Sequence, residues 1–466
     1  MDGTVSARDG ADQAKGYGEQ VLVVEPHGIE RIAADERHGS VRTLFSLWLA
    51  ANMGLPVWLV GALAVGLGLG FADGVAAVVV GNLIGCTLLA LTASMGPAIG
   101  MPQLPFTRHS FGTRGVYLPA LLNWASTSGW YAVNSVVGTL AIARLTGLPF
   151  LPALAVLSVI QLLLGVYGYN LIHRFETVSA VILAALFVVM TVIGFPQAHL
   201  GLVSRLPLAD HIGLFVLMTT AVASYVFSWS PYAADYARYL PVATAKWRVF
   251  GAVFGGSFIG CIWLQVLGVA VATIGLALSP IDLLVKVMGP FWVPALVAVV
   301  LGTIAANALN IYTGSLSLLT LDVPITRWAS VIAVGLLGGL LALYGAHGLS
   351  AKYENFLLLI SYWIGPWLAI VLVDFVLHPG ERMDGSAHRP RRLRAGAAVE
   401  PPALVAFLAG LAASVPFMNT TLFEGAVAHI LHGADIAYYV GIVVAGTLYY
   451  LLSRATSTRR SGASRL

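Results

Sequence analysis

Apolar runs long enough to cross a membrane follow one another along almost the whole chain. Spanning a hydrocarbon core takes about 20 apolar residues in a helix. The pattern predicts twelve helices, near 43–70, 73–98, 116–142, 149–169, 176–196, 211–234, 249–277, 291–318, 329–345, 354–377, 402–418 and 435–453. The ten-residue alternating strands of an outer-membrane barrel are missing from the sequence. The chain therefore reads as an all-α polytopic membrane protein. The expected order is an N-terminal tail (1–42), a ten-helix core (43–377), a basic loop (378–401), helices 11 and 12 (402–453) and a C-terminal tail (454–466).

Composition strengthens this picture. Of 466 residues, 58 % are hydrophobic and only 10 % charged, against roughly a quarter charged in soluble domains. The two cysteines, Cys86 and Cys261, lie in apolar segments and suggest neither a disulfide framework nor a CxxC metal site. The polar first forty residues lack the short apolar region and small-residue cleavage site of a signal peptide.

Charge then orients the helices. With both termini cytoplasmic, 21 of the 25 Lys and Arg residues fall on the cytoplasmic side, and only Arg144, Arg205, Lys286 and Lys352 on the other. That is a strong positive-inside asymmetry. It makes the run RPRRLRAG a solvated loop rather than a nucleic-acid patch. The expected location is a plasma membrane or a bacterial inner membrane.

Two apolar segments are interrupted. The first carries AANMGLP (50–56) and the sixth SWSPYAAD (228–235), each with Pro and small or polar residues. Interrupted segments in corresponding halves point to a transporter's binding site. A five-plus-five inverted repeat with broken helices 1 and 6, plus two extra helices, suits the length.

The third and eighth segments carry polar stripes. Asn123, Thr127, Trp130 and Asn134 are spaced 4, 3 and 4 apart, as are Thr303, Asn307, Asn310 and Gly314. Such spacings share one helical face. The sixth segment adds Trp229, Phe227 and Tyr232, and the first adds Trp48 and Asn52. Two indole faces can hold a flat ring, and Asn side chains offer a donor and an acceptor to its edge. The competing reading makes these Asn and Thr groups hydrogen-bonding glue between helices. It suits Asn123 and Trp124, near the helix start, better than the mid-segment Trp130. Glu176, Asp235, Asp322 and Asp374 sit near predicted ends, so no acid stands out mid-membrane as a proton carrier. HExxH, GxxxxGK[ST] and a nucleophile elbow are lacking, and no His pair has ligand spacing within a helix. A membrane enzyme therefore has little support.

Several stretches together resemble the nucleobase:cation symporter-1 family, in particular its purine–cytosine permease type. They are GIERIAADER, FSLWLAAN, GMPQLPFTRHSFGTRG (100–115), NWASTSGWYAVNSVVG (123–138), GYNLIHRFE (168–176), WSPYAADYARYLP (229–241), NALNIYTGSLSL (307–318) and NFLLLISYWIGPWLAIVLVDF (355–375). The resemblance implies the five-plus-five fold and import of a nucleobase, such as cytosine or a purine, by alternating access. Hydantoin, allantoin or a vitamin are the alternative cargoes. It implies that Trp130 and Asn134 contact the base, that Trp229 stacks on it, and that Asn307 and Asn310 set specificity with Tyr312 close by. Phe227 and Asn52 complete the candidate substrate set. Arg108, Phe111, Gly112, Asp235, Tyr236 and Arg238 match cytoplasmic signatures with gating or folding roles. The expected partners are a small nucleobase and the lipid bilayer, with no cofactor beyond a coupling H+ or Na+. Sodium-coupled relatives carry two hydroxyl residues where this chain has Ala305 and Ala306, and some relatives have Ser at the position of Ala50. A proton is thus favoured over sodium. Ala50, Thr303 and Asp235 are the candidate cation positions, with Asp235 as the acid.

Overall fold

The computed structural model describes residue 20 and residues 22–275, 279–346, 349–378 and 398–463. Most of the expected N-terminal tail before residue 22, nearly all of the basic loop 378–401 and residues 464–466 lie outside the described residues. Among the described residues the only β feature is an isolated bridge between Asn419 and Glu424. The long helices are α1 (Val41–Ala51), α2 (Leu55–Gly66), α3 (Phe71–Ala93), α4 (Tyr117–Thr146), α5 (Phe150–Tyr167), α6 (Tyr169–Gly194), α7 (Leu208–Phe227), α8 (Lys246–Ala272), α9 (Trp292–Thr320), α10 (Arg327–Gly345), α11 (Leu349–Leu377), α12 (Pro401–Ser414) and α13 (Ala437–Ala463). Among the described residues, eight spans are long and apolar enough to cross a membrane, and the bent pair α1–α2 makes a ninth.

The predicted first segment divides in two. Ser40 opens α1, its Oγ accepting from the Thr43 amide at 3.1 Å. The helix stops at Ala51, the chain is extended at Gly54, and Pro56 opens α2. A proline at the start of a helix loses nothing, because its missing N–H would have been unpaired there. The two halves are bent by 52°. The sixth segment is interrupted as well, but without a comparable bend, so that Leu208–Ala237 reads as one span. Helix α7 ends at Phe227, a 3₁₀ turn covers Ser230–Tyr232 around Pro231, and a short helix covers Ala233–Ala237.

Two predicted ends are displaced. Helix α6 begins at Tyr169, immediately after Gly168 with φ +83°. His173 therefore lies within the helix rather than before it, and Glu176 in its second turn rather than at its start. Helix α13 continues to Ala463 and takes in the start of the expected C-terminal tail.

Helix α4 packs on α9, α3 on α7, and α2 on α8. The α2–α8 crossing is close enough to need glycine from both sides. A Cβ on Gly61 would meet the Gln265 carbonyl oxygen at 1.9 Å, and one on Gly268 would meet that of Trp58 at 2.0 Å. Helix α6 turns Val181 and Val192 outward, 72 % and 68 % exposed, and buries His173, Glu176, Leu183 and Phe187. This is the one-sided burial of a helix between lipid and a protein core.

The end of the N-terminal tail is packed into the bundle. Glu25 is buried, and its Oε1 accepts from Arg238 Nη2 at 2.9 Å, the Tyr312 hydroxyl at 2.9 Å and the Tyr239 hydroxyl at 2.6 Å. Its Oε2 accepts from the Tyr169 amide at 3.0 Å, capping α6. Burial pushes the Glu25 carboxyl up, but Arg238, Arg327 and the Tyr239 hydroxyl outweigh it and hold the group below the usual carboxylate range. One side chain thus ties the tail to α6, α9 and the chain after the sixth-segment break.

A depressed folded pKa stabilises the fold above the unfolded value and is lost as pH falls through the folded value. The wild-type melting temperature in detergent is therefore expected to fall once pH drops below 4.5, the unperturbed value for this group. Glu25→Gln strands the buried Arg238 charge and is expected to cost about 3–5 kcal/mol at neutral pH, with a flatter acid limb in melting curves followed by circular dichroism.

Candidate functional site

The polar stripes of α4 and α9 face each other. Asn123 Nδ2 donates to Ser317 Oγ at 2.8 Å. A Cβ on Gly314 would lie 2.6 Å from Thr127 Oγ1, and one on Gly138 2.5 Å from Thr303 Oγ1. Asn307 Nδ2 donates to the Tyr131 carbonyl and to Ser135 Oγ, both at 3.1 Å. Much of each stripe is therefore spent on the other helix. Asn123 and Asn307 fit the packing-glue reading, whereas the Thr127 hydroxyl donates to the Trp124 carbonyl of its own helix at 2.9 Å, and the glycines permit the approach.

From Asn307 the bonds run to the sixth-segment break. Asn307 Oδ1 accepts from Asn310 Nδ2 at 3.1 Å, and Asn310 Oδ1 accepts from the Tyr232 hydroxyl at 3.0 Å. Tyr232 lies just past Trp229, where Pro231 interrupts the helix. The register of α9 is thereby coupled to the position of Trp229.

Trp130 projects from α4 away from this seam. Its ring lies nearly parallel to that of Trp229, at 11°, with centroids 6.5 Å apart. A flat ring held between two others needs about 7 Å, twice a van der Waals contact. The indole pair stands slightly closer than such an inserted ring requires. Tyr225 (5.4 Å), Phe356 (5.1 Å) and Tyr353 (6.0 Å) meet Trp130 edge-on. Trp48 of α1 meets Trp229 edge-on at 5.8 Å. Aromatic side chains from both broken segments, α4 and α11 thus converge. Tyr353 also reaches the first break, its hydroxyl donating to the Pro56 carbonyl at 3.0 Å.

Polar atoms without protein partners gather around the breaks. Asn52 Nδ2 donates to the Trp48 carbonyl at 2.7 Å, but its buried Oδ1 accepts from no protein group. Trp48 Nε1 and Ser230 Oγ are likewise buried and unpartnered. Asn134 is buried on α4, one turn beyond Trp130, whose carbonyl accepts from its Nδ2 at 2.8 Å.

Two candidate substrate residues stand elsewhere. Tyr312 lies in the Glu25–Arg238 cluster, its hydroxyl accepting from Arg238 Nη2 at 2.8 Å. Phe227 packs on Tyr438 of α13 at 4.8 Å. Helical rotation turns both to these other neighbours. The signature residues cross-link elements at one end of the bundle. Arg108 donates to Asp322 Oδ1 at 2.7 Å and to the Thr320 carbonyl at 3.0 Å. Phe111 packs edge-on against Phe407 of α12, and Gly112 follows it at φ +89°. Tyr236 donates to the Leu309 carbonyl at 3.0 Å.

The cation candidates do not form one cluster. Thr303 Oγ1 donates to the Val300 carbonyl of its own helix at 2.8 Å and faces Gly138, whereas its neighbour Gly302 faces the Met53 carbonyl at the first break. Ala50 offers no hydroxyl. Asp235 is buried and fully engaged, accepting from the Gln103 amide at 2.8 Å and from Thr313 Oγ1 at 2.6 Å. It ties the short helix Gln103–Phe106 to the sixth segment and α9. Sequence reasoning missed the aromatic walls Tyr225, Tyr353 and Phe356, the anchoring role of Glu25, and Glu176. For Glu176 the signal was present, since it lies three residues after His173 in GYNLIHRFE.

A bundle of membrane-crossing helices, two of them broken beside a buried aromatic cluster, is the architecture of a membrane permease. The family model for permeases of cytosine/purines, uracil, thiamine and allantoin matches residues 31–441, and the chain belongs to that family. It is 30 % identical over 458 residues to the putative purine-cytosine permease YxlA of Bacillus subtilis (strain 168), covering 95 % of this chain and 98 % of that one. It is 29 % identical to the purine-cytosine permease fcyB of Emericella nidulans, covering 92 % and 88 %. The fold matches the nucleobase-cation-symport-1 family transporter Mhp1 in a closed conformation with bromovinylhydantoin bound. There the TM-score is 0.76, the identity 20 % and the coverage 93 % and 96 %. Against inward-facing Mhp1 the TM-score is 0.71. The protein is a multi-pass membrane permease and not an enzyme.

The α4–α9 geometry has a direct consequence. Asn307→Ala removes the donor to Ser135 Oγ and strands Asn310 Nδ2, and is expected to cost about 1–3 kcal/mol. Asn134→Ala removes a bond within its own helix and is expected to change stability less. Melting of the two purified variants orders them.

Proposed function

We propose that the protein imports a nucleobase, such as cytosine or a purine, by cation-coupled alternating access. The observation that carries this reading is the near-parallel Trp130–Trp229 pair, 6.5 Å apart, at the junction of a broken segment with α4. A planar ring entering between the indoles gains stacking on both faces. Asn134 and Asn310 then read its edge, with Asn307 fixing Asn310 through the amide bond between them. The unpartnered Asn52 Oδ1 is a further acceptor at the first break. The family's stated cargoes are compatible with such a slot. The greater likeness to closed than to inward-facing Mhp1 suits an occluded carrier.

On this reading the chain has twelve spans, arranged as a five-plus-five inverted repeat plus two, with both termini cytoplasmic in a plasma or bacterial inner membrane. The Lys and Arg distribution supports the orientation. A proton is favoured as coupling ion, because Ala305 and Ala306 bring no hydroxyl to the α9 face near the first break. The second reading is another planar heterocycle. The hydantoin held by Mhp1 and the thiamine and allantoin named for the family keep it open. Competition of cytosine, hypoxanthine, allantoin and a hydantoin against one labelled substrate separates the two.

Stacking of a base on an aromatic side chain is worth about 1–3 kcal/mol by alanine substitution. Trp130→Ala is therefore expected to weaken apparent affinity roughly five- to a hundredfold, measured as uptake of labelled cytosine or purine by expressing cells. Unchanged uptake and competition profiles in both Trp130→Ala and Asn310→Ala overturn the site.

A further inference from the structure

Glu176 is the most anomalous polar group in the bundle. It is wholly buried within α6, about 10 Å along the helix from Tyr169 at 1.5 Å per residue. Neither carboxyl oxygen has a hydrogen-bond partner. His173 lies one turn earlier on the same buried face, where residues three apart have Cβ atoms about 5–6 Å apart. It is 8 % exposed, and neither ring nitrogen has a partner. The buried carboxylates of Asp235 and Glu25 are satisfied. Asp235 has two donors and Glu25 four.

The surroundings of Glu176 offer it no counter-charge. Helix α6 packs on α1, α9, α5 and α8. Its own Arg174 is exposed, as is Arg42 of α1. On α9 the one titratable side chain is Tyr312, which is bonded to Glu25 and Arg238. Tyr167 closes α5, and Lys246 and Arg248 open α8. Beyond the far end of α6, the helix Pro280–Met288 carries Asp282 and Lys286. His38 of the tail bonds the Glu36 carbonyl and Asn170 Oδ1, each at 2.9 Å. A carboxylate left alone in such a place costs several kcal/mol.

His173 also connects two regions. It lines a cavity of about 360 Å³ together with His38, Ser40, Thr43, Tyr169 and Arg174. Its ring lies 6.2 Å from that of Tyr236, which meets Trp48 at 6.2 Å, and Trp48 meets Trp229. The imidazole thus stands between an open cavity and the aromatic cluster, with the acid one turn further along α6.

We propose that Glu176 carries the coupling proton and that His173 passes it to the cavity. The assignment rests on the symport reading above and gives its cation a site. One proton binds a Glu176 carboxyl oxygen when the carrier opens to the proton-rich side. It moves to an unpartnered His173 nitrogen, and from that imidazolium to cavity water, when the inner end of α6 opens. No other bond is made or broken. Asp235, with both oxygens occupied, remains a tether.

The test uses the full chain in liposomes. Cytosine uptake driven by a pH gradient is compared with cytosine counterflow in the absence of any gradient. Wild type is expected to accumulate cytosine above equilibrium when the outside is acid. Glu176→Gln is expected to lose that accumulation, with the ratio of gradient-driven uptake to counterflow collapsing. The neutral amide is expected to fold with a melting temperature near wild type. In infrared spectra of the purified protein, a protonated-carboxyl band is expected in wild type and missing from Glu176→Gln. Accumulation by Glu176→Gln at the wild-type level, its failure to fold, or an unchanged carboxyl band overturns the proposal. So does wild-type accumulation that follows sodium and ignores pH, although that result leaves the nucleobase reading standing. Wild type without cytosine or purine counterflow sinks the nucleobase reading instead, and the infrared comparison still decides the state of Glu176.

Discussion

Within a bilayer a polar group has no water to turn to, so each must find a partner inside the protein or stand unsatisfied at a cost. That constraint orders this molecule. Helices satisfy their own backbones, and where α1 and the sixth segment break, side chains and neighbouring helices take over. The Tyr353 hydroxyl bonds the Pro56 carbonyl, and Tyr232 and Tyr236 reach α9 from the second break. The breaks are thereby held in place by α9 and α11, and the aromatic side chains they carry are aimed at α4.

The same constraint sorts polar side chains into two populations. One is fully engaged: Asn307 with Tyr131 and Ser135, Asp235 with Gln103 and Thr313, and Glu25 with Arg238 and three further donors. These groups bind helix to helix and fix the arrangement. The other is buried without partners: Asn52 Oδ1, Trp48 Nε1, Ser230 Oγ, the imidazole of His173 and the carboxyl of Glu176. A carrier needs both kinds, a frame with settled bonds and a set of groups kept free for cargo and ion.

Much of the fold was legible in the sequence. Apolar run length located the helices, and the Pro and Gly residues of AANMGLP and SWSPYAAD marked the two breaks. The 4-3-4 spacing foresaw that the α4 and α9 stripes each share a face. It could not tell which members meet the opposite helix and which reach the aromatic cluster, because that depends on the α4–α9 register. Hence Asn307 proved to be seam, while Trp130, a fraction of a turn away, met Trp229. Tyr312 and Phe227 went elsewhere for the same reason. Glu176 was overlooked because the start of α6 was placed at the carboxylate itself. Hydropathy weights Arg174 and Glu176 as a polar end, whereas the structure buries one and exposes the other.

The central claim is a flat ring stacked between Trp130 and Trp229. Its most direct test is a titration of the purified protein with cytosine and adenine, read as quenching of tryptophan fluorescence. Saturable quenching is expected in wild type and in Trp124→Ala, whose indole packs with Tyr131 and Ile311 away from the pair, and is expected to shift to roughly five- to a hundredfold higher concentration in Trp130→Ala and Trp229→Ala. Saturable binding of undiminished affinity in Trp130→Ala would contradict the account.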